Sequence, residues 1–405
     1  MKGITTKLNF YLDFIIMKIS LIQPSRNNLK YLKWSYKAIR KNQEDHEVQI
    51  CVADDFSNDG TWEWCQSTMK VDPNFKAIRN DGPTRLGHTI LYDRLINEVA
   101  TNDIAMIYHA DMYLCPGALA AIEKYIKPGA IVSLTRIEPP LHPDGPEKIL
   151  YNAGTEPEEF MEEALLQNLK RFEDENKITE GIFAPWAFYR KDFQEIGGHD
   201  PLYAPQSKED SDIFNRFQLN GIKFIQTWEG FVYHMTCRGS RFNPTITEVG
   251  KESNEWLSQN QRSTRNFIRK WGHFVKHDRL MKPIIPPKFN IGLVLEGSNS
   301  NTLFHLEPWF DKIWVNNTLI EPYIDIEQKN TIIDLKERVK SIDEEVDTDI
   351  VVRLDASKLT NETFTHVQQL AEILDRHGEV GKFELDSLKI EIYSLEEYQE
   401  SLIFI

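Results

Sequence analysis

Short apolar runs alternate along this chain with segments of helical spacing, and several of the runs close on an acidic residue. Residues 18–23 form one such run and end at Pro24-Ser25. Residues 48–53 run into Asp54-Asp55, and residues 104–108 into His109-Ala110-Asp111. Between the first two, Leu29, Leu32, Tyr36 and Ile39 recur at helical spacing, with Asn27 placed to cap the helix. Asn58-Asp59-Gly60 marks a turn before a helix through Trp62 and Trp64. This alternation predicts a parallel, right-handed βαβ core. Carboxylates just past buried strands gather on one rim of such a sheet, where open α/β folds bind their ligands.

The pattern continues with a strand over 76–79, a helix over 88–100, a helix opened by Pro116 and a strand over 130–135. Residues 138–154, rich in Pro and Gly, read as a loop, and 157–177 as an exposed helix. A strand over 181–184, helices over 191–196 and 209–219, and strands over 222–227 and 230–233 follow. A proline-rich stretch at 283–287 marks a boundary. Beyond it, strand-like 291–295, 312–315 and 350–354 and a helix over 361–376 describe a smaller α/β unit. The expected division is a leader at 1–17, a main domain at 18–282 and an accessory domain at 288–405.

A length of 405 residues accommodates one large domain and a smaller one. The net charge of -15 argues against a broad basic surface for nucleic acid or anionic membrane, leaving room only for a local basic groove. A small molecule or a neutral polymer is the expected partner. The 4 cysteines lie apart with no CxxC pair, as free thiols of a reducing, cytoplasmic compartment would. The apolar patch Tyr11 to Met17 is too short for a membrane span.

Together these segments resemble the family-two type of inverting glycosyltransferase with the GT-A fold. "SLIQPSRN…VQICVADDFSNDGTWE" is similar to the opening strand and the following acidic element of that family. "IAMIYHADMYLCPGAL" resembles its DxD strand, "FAPWAFYRKDFQEIGGHD" its acceptor-side strand and turn, and "KEDSDIFNRFQLNGIKF" its acidic helix; "FIRKWG" is a further common trait. The resemblance covers about residues 17 to 280. It implies a Rossmann-like mixed, mostly parallel sheet flanked by helices, a UDP-sugar or related nucleotide-sugar donor, and a glycan or other hydroxyl-bearing acceptor. His109 stands where the family has the first acid of DxD.

A diphosphate leaving group gathers negative charge that must be stabilised, and the sequence has no G-x-G-x-x-G or P-loop to do it. A divalent cation on oxygen ligands, Mn or Mg, is the expected device. Asp111 is its first expected ligand and His234 the second, with His109 as a further ligand or a contact to the donor sugar. Arg238 and Arg241, in the loop after His234, are placed to reach the diphosphate. Asp54 or Asp55 is expected to accept a hydrogen bond from the nucleobase, with Pro24-Ser25 bracketing it. The resemblance implies Asp210 as the general base on the acceptor hydroxyl, with Glu209 as the alternative. Trp186, following Pro185 at an expected strand edge, reads as a stacking platform for a sugar ring. The competing readings are a non-catalytic nucleotide-sugar or glycan-binding protein of the same fold, and a nucleotidyltransferase; the absence of a Gly-rich loop after the first strand speaks against the latter.

Overall fold

The computed structural model describes residues 16–236 and 251–405. In chain order the first region holds β1 (Lys18–Ser25), α1 (Leu29–Asn42), β2 (Glu47–Asp55), α2 (Thr61–Val71), β3 (Phe75–Asn80) and α3 (Gly87–Arg94). It continues with β4 (Ile104–Ile107), β5 (Met112–Leu114), α4 (Ala118–Tyr125), β6 (Ala130–Glu138), β7 (Lys148–Leu150), α5 (Glu162–Phe172) and β8 (Ile178–Thr179). β9 (Trp186–Tyr189), α6 (Arg190–Glu195), α7 (Glu209–Leu219), β10 (Lys223–His234) and α8 (Asn254–Trp271) complete it.

The strands form one sheet in the order β3-β2-β1-β4-β9-β6-β10-β5, with β7 beside β6 and β8 beside β10. β1 to β4 run parallel to one another, whereas β9 is inserted antiparallel between β4 and β6. In β1 and β2 only the first residue is exposed, which is why these strands read as continuous apolar runs: helices cover both faces. In register, Ser25 lies beside Asp54, and Asp54 beside Arg79, so the carboxyl ends of three strands present one polar edge.

Several local expectations are corrected. Asn27 does not cap α1: it sits in the left-handed region (φ 52°) and accepts from Asn58 N–H, while Asp59 takes the Leu29 N–H at 2.9 Å. The helix expected over 88–100 divides into α3 and a π-helical turn, Leu95–Val99. No strand forms at 181–184; the pairing begins at Trp186. The segment taken as a loop after 138 contains β7, and the two strands expected at 222–227 and 230–233 are one strand with an irregularity between Thr227 and Phe231.

Beyond α8, β11 (Ile291–Glu296), β12 (Lys312–Val315), β13 (Val339–Ser341), β14 (Ile350–Asp355), β15 (Gly381–Leu385) and β16 (Leu388–Ile392) form a second sheet in the order β13-β12-β11-β14-β16-β15. Its helices are α9 (Ser300–Leu306), α10 (Asn317–Glu327), α11 (Leu335–Arg338), α12 (Asn361–Gln368) and α13 (Leu370–His377). The hairpin β15–β16 was missed from sequence, although "KFEL" and "KIEI" around Asp386 carry the period of a strand. The last residues return to the first region: Ile403 joins its apolar core, and its carbonyl accepts from Arg216 at 3.5 Å. Among the described residues no helix is long and apolar enough to cross a membrane.

Candidate active site

The two acids after β2 have separate work. Asp55 holds the loop that opens α3, accepting from Gly87 N–H at 2.9 Å, Leu86 N–H at 3.2 Å and Asn80 Nδ2 at 2.6 Å. Asp54 accepts from Ser57 N–H at 3.1 Å with one oxygen. Its other oxygen lies 3.3 Å from Arg79 Nε and makes no hydrogen bond, and the buried Ser25 hydroxyl beside it is also without one. Of the pair, Asp54 therefore retains an acceptor at the polar edge; Asp55 is committed to the fold. Pro24, at the same edge, is buried within β1.

β5 and β10 pair antiparallel with Met112 opposite His234, which sets Asp111 against the end of β10. His109, Asp111 and His234 consequently gather with one potential ligand atom each, all within 4.8 Å of one another. His234 Nε2 faces Asp111 at 3.5 Å, and its Nδ1 meets Glu138 at 2.9 Å. Burial alone would lower the His234 imidazole, but Asp111 and Glu138 outweigh it and raise it to about 9. Burial would raise Asp111, yet His234 and His109 hold it below the usual carboxylate range. His109 is pushed down to about 4, by burial and then by His234. Glu138 orients His234 from behind, as a carboxylate commonly does for a metal-binding imidazole. Sequence reasoning missed Glu138 because it lies where a loop was expected; the extension of β6 carries it into place.

Asp210 lies in the first turn of α7 and lines a cavity of about 270 Å³ together with His109, Arg136, Phe183 and Lys276. Its carboxyl is raised by burial, with His199 acting in the opposite sense. Glu209 is 6% exposed with one oxygen unpartnered, and burial followed by the Asp210 charge pushes it up to about 8. The third acid of the run, Asp212, is scaffolding. It accepts from Arg216 Nε at 2.8 Å, Tyr203 OH at 3.1 Å and Trp271 Nε1 at 2.9 Å, and pairs with Lys270 at 2.8 Å. The Lys-Trp pair of the "FIRKWG" segment thus pins α7 rather than touching the cavity.

Trp186 is not a sugar platform. It is fully buried, because β9 lies between two strands with both faces covered, and its ring packs on Phe188, Phe214 and Phe217. The phenylalanines at the cavity are Phe183, under Arg136 at 4.3 Å, and Phe214. Arg238 and Arg241 lie outside the described residues. Arg136 and Arg85 are cations near the site that sequence reasoning did not select; Arg85 donates to Gln206 at 2.6 Å and lies 3.8 Å from Asp55. The half-buried His88, pushed down to about 3 by burial and by His109 and therefore neutral, is a further group there that sequence reasoning did not select. His88 sat in a segment read only as helix, and Arg85 and Arg136 fell just outside the segments assigned as strand or helix.

A mixed, mostly parallel sheet with acids at its strand ends, a His-Asp-His cluster and a carboxylate-lined cavity defines a GT-A-type site. Residues 20–197, which carry Asp54, Asp55, His109 and Asp111, match the family described as Glycosyl transferase family 2. Asp210 and His234 lie beyond the end of that stretch. No curated protein matches the chain in sequence. Among solved structures, one of GalNAc-T7 with UDP, GalNAc and Mn2+ is similar at 14% identity and a TM-score of 0.45, over 64% of this chain and 51% of that one. The mannosyltransferase PcManGT from Pyrobaculum calidifontis, in complex with GDP-Man and Mn2+, is similar at 16% identity and a TM-score of 0.41, over 64% of each chain. The chain thus spans about half the length of the first and less than two thirds of the second.

Proposed function

We propose that the protein transfers a sugar from a nucleotide-sugar donor, UDP-sugar favoured, to an acceptor hydroxyl with inversion. The observation that carries this reading is that His109 belongs both to the His109/Asp111/His234 cluster and to the wall of the cavity that Asp210 lines. A diphosphate near the cluster would leave its sugar facing the base.

The chemistry asks for one base. The acceptor oxygen bonds to the anomeric carbon as the bond to the diphosphate oxygen breaks, and the hydroxyl proton passes to Asp210. Attack from the face opposite the leaving group inverts the centre. The raised carboxyl of Asp210 makes it a better proton acceptor than a solvated aspartate. Asp54, whose second oxygen faces Arg79 at 3.3 Å but makes no hydrogen bond, would accept from the nucleobase, with Ser25 flanking it. The donor set fits a divalent cation, Mn or Mg: one carboxylate and two imidazoles converge, and Glu138 fixes the orientation of His234. Held by Asp111, His234 and His109, such an ion would supply Lewis-acid stabilisation of the charge growing on the diphosphate.

A chelator should abolish slow donor hydrolysis, and Mn or Mg should restore it. Calorimetric titration of Mn into the wild type and into Asp111→Ala checks the site without turnover. Equal Mn affinity in the two proteins would remove Asp111 from the ligand set. The non-catalytic reading is separated by the same donors: a protein that binds them and never hydrolyses or transfers would be that alternative.

A further inference from the structure

The cavity at Asp210 does not stop within the first sheet's region. Its outer wall is the segment from Val275 to Pro283, which turns back on itself: Asp278 N–H donates to Lys282 O at 2.9 Å and Ile284 N–H to Lys276 O at 3.0 Å. On one side this turn is seated on the first region. The Leu280 carbonyl presses against Gly181, where a Cβ would meet it at 2.1 Å, and Lys282 pairs with Glu180 at 2.5 Å. On the other side Lys276 pairs with Glu372 of α13, in the C-terminal region.

Lys276 is also the shared wall of a second hollow of about 310 Å³, lined by Gln369, Glu372, Arg376 and His377 of the C-terminal region. The two hollows therefore meet at one side chain. Around that junction stand Lys276 and Arg376, with His277 and His377; Glu372 answers Lys276, and Asp210 is the acid of the first hollow. Among the described residues Arg376 has no ion pair. It lies close enough that, after burial, it is the next cause lowering the Lys276 ammonium. In a chain of net charge -15 an exposed guanidinium without an ion pair at the mouth of a hollow stands against the general field.

Resting on the assignment of Asp210 as the base, we propose that the acceptor is an anionic glycan of several residues, whose end enters the Asp210 cavity and whose body crosses Lys276 onto α13. The C-terminal region then supplies acceptor selectivity: the first hollow takes the reacting sugar, and Arg376 with His377 reads a carboxylate or phosphate further along. Arginine suits either group through its planar fork of donors. This narrows the neutral-polymer expectation drawn from overall charge, because recognition is local and the net charge is not.

Calorimetry on the full chain, with UDP and Mn present, tests this with two tetrasaccharides: the galacturonate tetramer, which is anionic, and cellotetraose, which is neutral. The anionic one should bind at least ~10-fold more tightly, and the difference should shrink with salt as exposed charges are screened. Arg376→Glu should remove the preference and Arg376→Lys should keep most of it; Arg376 is exposed, and an unchanged unfolding midpoint checks the fold. Equal binding of the two tetramers, or a preference untouched by Arg376→Glu, overturns the proposal. Slow donor hydrolysis by the wild type is scored separately. Hydrolysis without the preference sinks the groove alone, whereas the preference without hydrolysis of any nucleotide sugar sinks the transferase reading and leaves an anionic-glycan binder.

Discussion

Two buried glutamates, one in each region, show opposite fates for the same side chain. Glu307, at the end of α9, is fully buried and saturated: Arg269 reaches it at 2.7 Å, Arg338 at 2.9 Å and the Tyr323 hydroxyl at 2.9 Å. Burial would raise it, but the two guanidiniums hold it down to about 2. Glu209 is nearly as buried, keeps an oxygen without a partner, and is pushed up to about 8. A saturated charge joins elements together, here α8 to the second sheet. An unsaturated one beside a cavity stores electrostatic free energy that chemistry can use.

The contrast can be broken most forcefully at Glu307. Glu307→Ala leaves the buried Arg338 without an acid and Arg269 with Glu327 alone, and should cost about 3–5 kcal/mol, read as a lower midpoint in urea unfolding. A loss below about 1 kcal/mol would show the cluster to be ornamental. Asp210→Asn should act on the other side of the contrast, lowering transfer ~100-fold or more while nucleotide-sugar affinity stays nearly intact. Transfer at the normal rate would hand the base to Glu209. Asp54→Ala should weaken UDP binding by about 1.5–3 kcal/mol, the scale of a hydrogen bond to a charged group; unchanged calorimetric affinity would falsify the base contact.

The smallest effect sharpens the comparison by pH. Because the folded Glu209 carboxyl titrates at about 8, well above its ordinary 4.5, folding favours its protonated form. Its contribution is fully present below about pH 4.5 and is lost as pH rises through about 8. Glu209→Gln should therefore be neutral in acid and stabilising above pH 8, measured as unfolding midpoints at the two pH values. An equal effect at both would show that burial, not charge, governs the site.

Much of the first sheet was legible because parallel strands covered on both faces must be largely apolar, and the runs at β1, β2 and β4 are; the buried Ser20 donates to Gln49 across the first two at 2.7 Å. The acids at their ends were legible for the same reason, since polarity begins where cover ends. Trp186 was misread because a proline before a strand resembles an edge, and nothing local reveals that β9 is inserted at the centre. Asp54 and Asp55 look alike in sequence; their different tasks depend on the loop at Gly87, which lies 32 residues from Asp55. Glu138 and Arg136 were hidden because sheet pairing carries β6 beyond the apolar run that announced it.

Gly87 itself has a wider consequence. It occupies the left-handed region (φ 71°), and a Cβ there would stand 2.0 Å from the carbonyl of Pro205, which also lies 3.4 Å from Thr89 N–H. Pro205 precedes α7 by only a few residues, and Asp55 grips Gly87 from the other side. The loop nearest the nucleotide edge and the segment that leads into the helix bearing Asp210 thus meet closely at Gly87 and Pro205. Any movement of one is delivered to the other as a rigid push, so a Gly87→Ala enzyme, altered on the donor side, would show its defect in the alignment of the acceptor's base.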